Sequence, residues 1–435
     1  MRNIVKAKHP KQMISNNGRG PKAHLWQVFS LLHRYPVFGR LWAGRLASLF
    51  GDAFALMALP WFVLEVTESG TATAGILLTL QLPAILTSMV IGSLIDRFQP
   101  RTIITIDNVI RTLIIGLIPI LYWFDALELW LLFLLTFLAG MLEPATEVGA
   151  RSILPELVGD EDLDAANMLW SFSINLSLII GPAVAGVLVA SFGGPSALLI
   201  DAGTFAVMAI LAVTLPTLKR SNAGAEVSIS ERLGLRQLWG MKVLRYTTLL
   251  SLVFFFSYGP LEAALPLYSD AVLRTDARGY GLLWSALAVG ALIGTLSSTT
   301  LSRHLRLGVA LPLIALLWGA SLLPMVFINQ LWSACGLLFL GGLMWGPYTP
   351  METTLLQRNV PRAQLGRVFG ARSTLLIGGS PLGLATGGLL LAFVPSTSVI
   401  ALSAFACILV GLSGLASPIF RGLSLPAVDA DLSYK

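Results

Sequence analysis

Charge is scarce in this chain. Only 12% of its 435 residues are charged, against 55% apolar, where a soluble domain carries roughly a quarter charged residues. With a mean hydropathy of +0.77, that shortage excludes a protein that hides its apolar groups from water in an ordinary core. Cysteine is also rare. Cys335 and Cys407 both fall inside long apolar runs, and His9, His24, His33 and His304 are scattered, so neither a disulfide framework nor a metal site is expected. No Gly-x-x-x-x-Gly-Lys-Ser/Thr loop occurs, which excludes a built-in ATPase of that type. The apolar runs hold no nucleophile with a matching base and no paired metal ligands, so no enzyme and no cofactor is expected. No Asp or Glu precedes Asp52, although Arg2, Lys6, Lys8, Lys11, Arg19 and Lys22 do. That basic start lacks the short apolar core and cleavage site of a secretory signal.

What is present is a series of apolar runs long enough to cross a bilayer. A span needs about 20 residues and must satisfy its own backbone, as a helix or in a closed barrel. These runs are too long for barrel strands, so the fold class is an all-α membrane protein. About twelve spans are read, at 41–66, 73–95, 102–123, 129–148, 165–190 and 196–216, then 246–269, 279–301, 308–328, 331–350, 366–394 and 397–419. A polar stretch separates the sets, with Ser228 and Glu231 spaced as a capping box. The domain reading is a basic N-terminal segment over 1–40, a six-helix bundle over 41–216, a linker over 217–245, a second bundle over 246–420 and a tail over 421–435.

The two sets repeat each other. Gly92, Leu94 and Arg101 recur at one constant offset as Gly294, Leu296 and Arg303, and Gly181 to Leu188 recurs at the same offset as Gly383 to Leu390. A bundle written twice, with a site between the halves near the membrane midplane, is a recurring transporter plan. Lysine and arginine cluster on one side of the alternating spans, at Arg97, Arg101, Arg151, Lys219, Arg220, Arg303, Arg306, Arg358 and Arg362, with only Arg274 and Arg278 opposite. Both termini are therefore expected in the cytoplasm of a cell whose inner, or plasma, membrane holds the protein. The net charge of +6 is then a topological signal toward the lipid bilayer rather than a nucleic-acid patch.

Ionisable groups inside spans are costly and are functional candidates by default. Asp52 lies about halfway along the first span, where an isolated carboxylate costs on the order of 2.5–3.5 kcal/mol to insert. It is a candidate proton carrier or substrate contact, against the alternative of a structural hydrogen-bonding role. Glu262 is its counterpart in the second half: the offset that joins Pro60 to Pro266 places it opposite Leu56, one helical turn beyond Asp52. Both acids are expected to face one central cavity. Glu143 and Glu147 stand at the end of the fourth span and Glu352 just past the tenth, while Arg45 is near enough to the surface for its head to snorkel out.

The turn after the second span reads GSLIDRFQPR. It resembles the Gly-x-x-x-Asp-Arg-x-Gly-Arg-Arg pattern of the major facilitator superfamily, matched at Gly92, Asp96, Arg97 and Arg101 and departed from at Gln99 and Pro100. The resemblance implies the facilitator fold of two pseudo-symmetric six-helix bundles. It also implies a gating network on the cytoplasmic side in which Asp96 meets a facing helix end and Arg101 pairs with Glu147 or Glu143. Because Pro100 replaces a basic residue, that network is expected to reroute through Asp107 and Arg111, four apart on one helical face. Gly181, Pro182 and Gly186 resemble the superfamily's antiporter motif, with Ala185 where Gly is usual.

The loop from Pro144 and the first span resemble the branch holding the enterobactin exporter and macrolide efflux proteins. In that branch Gln is common at Arg45 and Asn at Asp201, so these two charges are departures that bear on substrate preference. The expected function is proton-coupled efflux of a small amphiphilic compound, drug-like or a siderophore, by alternating access in a monomer. A facilitator or importer of a lipid-like or other small solute, and a non-transporting receptor or scaffold, stay open as alternatives.

Overall fold

The computed structural model describes residues 29–159, 161–217, 239–361 and 364–421. The basic segment before residue 29, the Ser228 and Glu231 pair, and the tail after residue 421 lie outside the described residues.

The first half consists of α1 (Pro36–Thr67), α2 (Gly70–Arg97), α3 (Pro100–Trp123), α4 (Leu129–Val158), α5 (Leu163–Phe192) and α6 (Gly194–Val213). The second consists of α7 (Lys242–Leu267), α8 (Ala277–His304), α9 (Leu307–Leu322), α10 (Leu331–Asn359), then α11 (Leu365–Ile377) and α12 (Gly379–Leu390), which share one passage, and α13 (Ser396–Ala416). Among the described residues there is no strand. Local chemistry sets several ends. Proline opens α1 and α3, where a missing N–H costs nothing. Gly159 and Gly193, at positive φ, end α4 and α5.

Eleven of the described helical segments are long and apolar enough to cross a membrane. Leu331–Asn359 is as long as its neighbours, with 29 residues, but Gly341, Gly342, Trp345, Gly346, Pro347 and Tyr348 dilute its hydropathy. It packs against α8 as α4 packs against α2, and so completes the second six-passage bundle.

Helix lengths depart from the sequence reading in an instructive way. The fourth and tenth spans were expected to stop at 148 and 350, yet α4 runs to Val158 and α10 to Asn359. Glu147 and Glu352 are therefore inside helices rather than at span ends. Prolines at 144, 155, 347 and 350 look like stops, but within a packed bundle their lost hydrogen bonds are tolerated. Each extension carries a charged residue that finds a partner within the bundle, Arg151 in one and Glu352 in the other. The eleventh passage, expected as one run, is broken at Gly378.

Many large apolar side chains face outward, including Leu113, Ile210, Leu296 and Phe393, as a lipid-facing surface requires. Between the halves the approach is close and made by small residues, the way membrane helices associate without a hydrophobic drive. A Cβ on Gly281 of α8 would overlap the Pro182 carbonyl of α5, and one on Gly186 would overlap the Ala277 carbonyl. On the other flank, a Cβ on Gly388 of α12 would come 2.5 Å from Ala74 of α2, and Thr71 donates to the Gly388 carbonyl at 3.2 Å. Trp61 of α1 stacks on Tyr280 of α8 at 5.9 Å between centroids. These contacts gather at the end that carries the α1–α2 turn, and they seal it.

Candidate functional site

In the first half, α1, α3, α4 and α6 bring ionisable side chains to one buried network. Asp52, on α1, accepts from Arg111 of α3 at 2.7 Å and faces Arg45 of its own helix at 3.7 Å. Arg45 continues to Glu147 of α4 at 3.0 Å, and Glu147 also pairs with Arg151 and accepts from Trp170 Nε1 at 3.2 Å. The Arg111 guanidinium lies 3.9 Å over the Phe205 ring, a favourable place for a desolvated cation. Asp107 accepts from Thr146, while Asn108 donates to Thr146 at 2.6 Å.

Three expectations are corrected here. Arg111 pairs with Asp52 rather than with Asp107, because the helical period that aligns Asp107 and Arg111 does not fix which way each chain turns. Glu147 is taken by Arg45 and Arg151, not by Arg101. Arg45 does not snorkel: it is 9% exposed and bound to two acids. Arg111 and Glu147 thus belong with Asp52 rather than with the turn at Arg101, and Asp107 is held by Thr146. Gly92, Asp96 and Arg97 end α2, but their side chains lie outside the described residues.

The network lines a cavity of about 230 Å³, whose polar wall is Arg45, Asp52, Gln81, Arg111, Glu143, Ser177 and Asp201. Asp201, on α6, is 1% exposed and neither of its carboxylate oxygens has a hydrogen-bond partner. Glu143 is exposed. Gly181 brings α5 against α1 beside the site, its Cβ position 2.6 Å from Ala53, and Ser177 donates to the Leu49 carbonyl at 2.6 Å. The Gly181, Pro182 and Gly186 stretch therefore touches α1 near Asp52 at one end and α8 at the other.

The expectation that Asp52 and Glu262 face one cavity is corrected: Asp52 is on its wall, whereas Glu262, from the second half, stands behind Gln81 and is not part of the lining. Gln81, on the cavity wall, donates to its Oε1 at 2.7 Å across the interface. Glu262 is 4% exposed, and its Oε2 has no partner. Asp52 and Glu262 thus approach the same wall from opposite halves, with Gln81 between Glu262 and the space.

The second half has its own buried cluster, in which Arg372 pairs with Glu352 and donates to Ser251 Oγ at 2.8 Å. Ser251 also donates to Glu352 and lies 2.9 Å from the Tyr348 hydroxyl. The internal repeat relates the clusters: Ser251 occupies the position of Arg45, and Arg372 that of Trp170, the Glu147 partner. The same equivalence sets Tyr258 at Asp52 and Ser403 at Asp201. At the Arg45, Asp52 and Asp201 positions the second half has hydroxyl-bearing side chains, while its own ion pair puts Arg372 where the first half has Trp170. Phe254 stacks on Trp345 at 4.6 Å and on Tyr348 at 4.0 Å, and Tyr258 sits 4.9 Å from Trp345. Sequence reasoning passes over Arg372 and Gln81. The signal for Arg372 was available, since it is a charge inside a predicted span. Nothing in the sequence singles out Gln81.

Comparison with known proteins agrees with this architecture. A family model described as Major Facilitator Superfamily matches residues 41–376. The chain is 27% identical to the multidrug efflux pump Tap of Mycobacterium tuberculosis over 92% of its length and 97% of that relative. It is 26% identical to the enterobactin exporter EntS of Escherichia coli over 88% of its length and 92% of that relative. Its fold overlays the crystal structure of the nucleoside transporter NupG with a TM-score of 0.72 at 14% identity, covering 88% of this chain and 99% of that one.

Proposed function

The chain belongs to the major facilitator superfamily, and from that premise we propose that it is a proton-coupled exporter of small amphiphilic compounds, working as a monomer by alternating access. The observation that carries this reading is the Arg111–Asp52–Arg45–Glu147 network, whose first three members lie on the cavity wall, with Glu262 held across the interface by Gln81. Carboxyls beside a polar cavity can exchange protons with it, and their charge state alters the forces between helices. When Asp52 takes a proton, its attraction to Arg111 and Arg45 weakens, and α1 is freed to move against α3. When Glu262 changes charge, its bond to Gln81 changes with it, and this bond ties the halves together. Both events therefore act on packing that differs between two conformers, which is what coupling requires.

Export of drug-like molecules or siderophores is supported by likeness to the efflux pump and the exporter named above. The half-buried Phe255, Tyr258 and Trp345 offer faces for aromatic or apolar solutes. The basic loops support cytoplasmic termini in an inner, or plasma, membrane. The sealed end is then the outer one, and this conformer would load from the cytoplasm. One charge moved through 100 mV supplies about 2.3 kcal/mol, enough for a gradient of roughly fiftyfold without ATP.

The test is accumulation of ethidium and of enterobactin by inverted vesicles under an imposed proton gradient. Proton-driven accumulation of at least one solute by the intact chain, lost in Asp52→Asn, is expected. Equal accumulation in both would remove Asp52 from the mechanism.

A further inference from the structure

The cavity in the first half holds more carboxyl groups than arginines to pair with them. Its two cations are both engaged, Arg111 by Asp52 at 2.7 Å and Arg45 by Glu147 at 3.0 Å and Asp52 at 3.7 Å. The wall nonetheless holds three acids, Asp52, Glu143 and Asp201, against those two arginines. The surplus has an address. Asp201 is 1% exposed and both its oxygens are without a hydrogen-bond partner. A buried carboxylate left so is costly, and the cost falls when a cation with N–H donors arrives.

Shape narrows the ligand. At about 230 Å³, the space is below the roughly 300–1,000 Å³ of sites that enclose a drug-sized molecule. It accepts a head group rather than a whole amphiphile. Leu49, Leu56, Leu80, Ile115 and Leu178 are among the apolar residues of the wall and suit the carbon next to a charged nitrogen. An anionic head would meet Asp201 and Glu143 with no free arginine to receive it.

Resting on the transporter reading, and deepening it, we propose that this cavity is a subsite for the ammonium head of a cationic substrate, with Asp201 as its counter-ion. The chain is then selective for amines over neutral alcohols of the same shape. The repeat-related position in the second half is Ser403, whose hydroxyl is bound to the Ser257 carbonyl.

Equilibrium dialysis of phenethylammonium and of its neutral isostere 2-phenylethanol, against the full-length protein in nanodiscs at about pH 8, tests this. At that pH the amine is charged. The amine is expected to bind at least about tenfold more tightly than the alcohol. Asp201→Asn should abolish the preference, and Asp201→Glu, which keeps the charge, should retain it. Equal binding of amine and alcohol by the intact protein would overturn the proposal. So would a preference that survives in Asp201→Asn with an unchanged gel-filtration profile. A preference intact in a protein without proton-driven transport would sink the transport reading and leave the subsite standing.

Discussion

Gln81→Ala tests the tie between the halves most directly. In the structure, Gln81 of α2 donates to Glu262 of α7 at 2.7 Å, and no other hydrogen bond serves that carboxyl among the described residues. Truncation leaves Glu262, 4% exposed, buried without a partner in any conformer that keeps the halves closed here. A hydrogen bond to a charged group contributes about 1.5–3 kcal/mol and one between neutral groups about 1 kcal/mol. The sealed conformer should therefore lose about 1–3 kcal/mol against one in which Glu262 is hydrated, which multiplies the population of the open form by about 5 to 150. Spin labels on Val66→Cys and Ala271→Cys, after Cys335 and Cys407 are replaced, report the distance across the sealed end by pulsed electron resonance. Gln81→Ala should add a longer-distance population, and Glu262→Gln in the same background should shrink it, because a buried amide is cheaper than a carboxylate. A distribution that superimposes on the parent's would refute this account of the interface.

Two further outcomes follow from the packing. Arg111→Gln leaves Asp52 with Arg45 alone, at 3.7 Å; breaking a buried ion pair costs about 3–5 kcal/mol, and because the Asp52 side chain is 26% exposed screening reduces this to about 1–3 kcal/mol. Thermal unfolding should show the loss, and Asp52→Asn added to Arg111→Gln should recover most of it; an Arg111→Gln protein as stable as the parent would contradict the pairing. Gly281→Val places atoms where the Pro182 backbone lies. Overpacking of about 1–3 kcal/mol should part α5 from α8 and lengthen the same spin-label distance, and an unchanged distance would mean that this contact does not hold the seal.

Much of the plan was legible from residue order. Apolar runs near 20 residues dictate helices in a bilayer, and constant offsets between matched glycines and arginines expose a duplicated bundle, because both are properties of the chain read along its length. Asp52 and Glu262 stood out for the same reason: a charge in an apolar run needs an explanation whatever surrounds it. The rule that found them also covers Arg372, which pairs with Glu352 at the heart of the second half. The lengths of the fourth and tenth helices were not legible, and their spans were read short, at 148 and 350.

Partnership was not legible. Asp52 and Arg111 are 59 positions apart and Arg45 and Glu147 are 102 apart, and they meet because α6 packs against both α1 and α3 while α4 comes up beside them. Helical spacing says which side chains share a face, and it favoured Asp107 for Arg111. The structure gave Arg111 to Asp52, since α6 packs against both their helices and Arg111 reaches over its Phe205 ring to bring the opposite charges within about 3 Å. Gln81, ordinary in the sequence, became the bridge to Glu262 through the approach of α2 to α7. Thus residue order determined a twice-written membrane bundle with buried acids, through hydropathy and repetition. Tertiary packing alone decided which acid each arginine neutralises and that Asp201 is left without one, because electrostatic energy depends on distances between helices that no one-dimensional pattern contains.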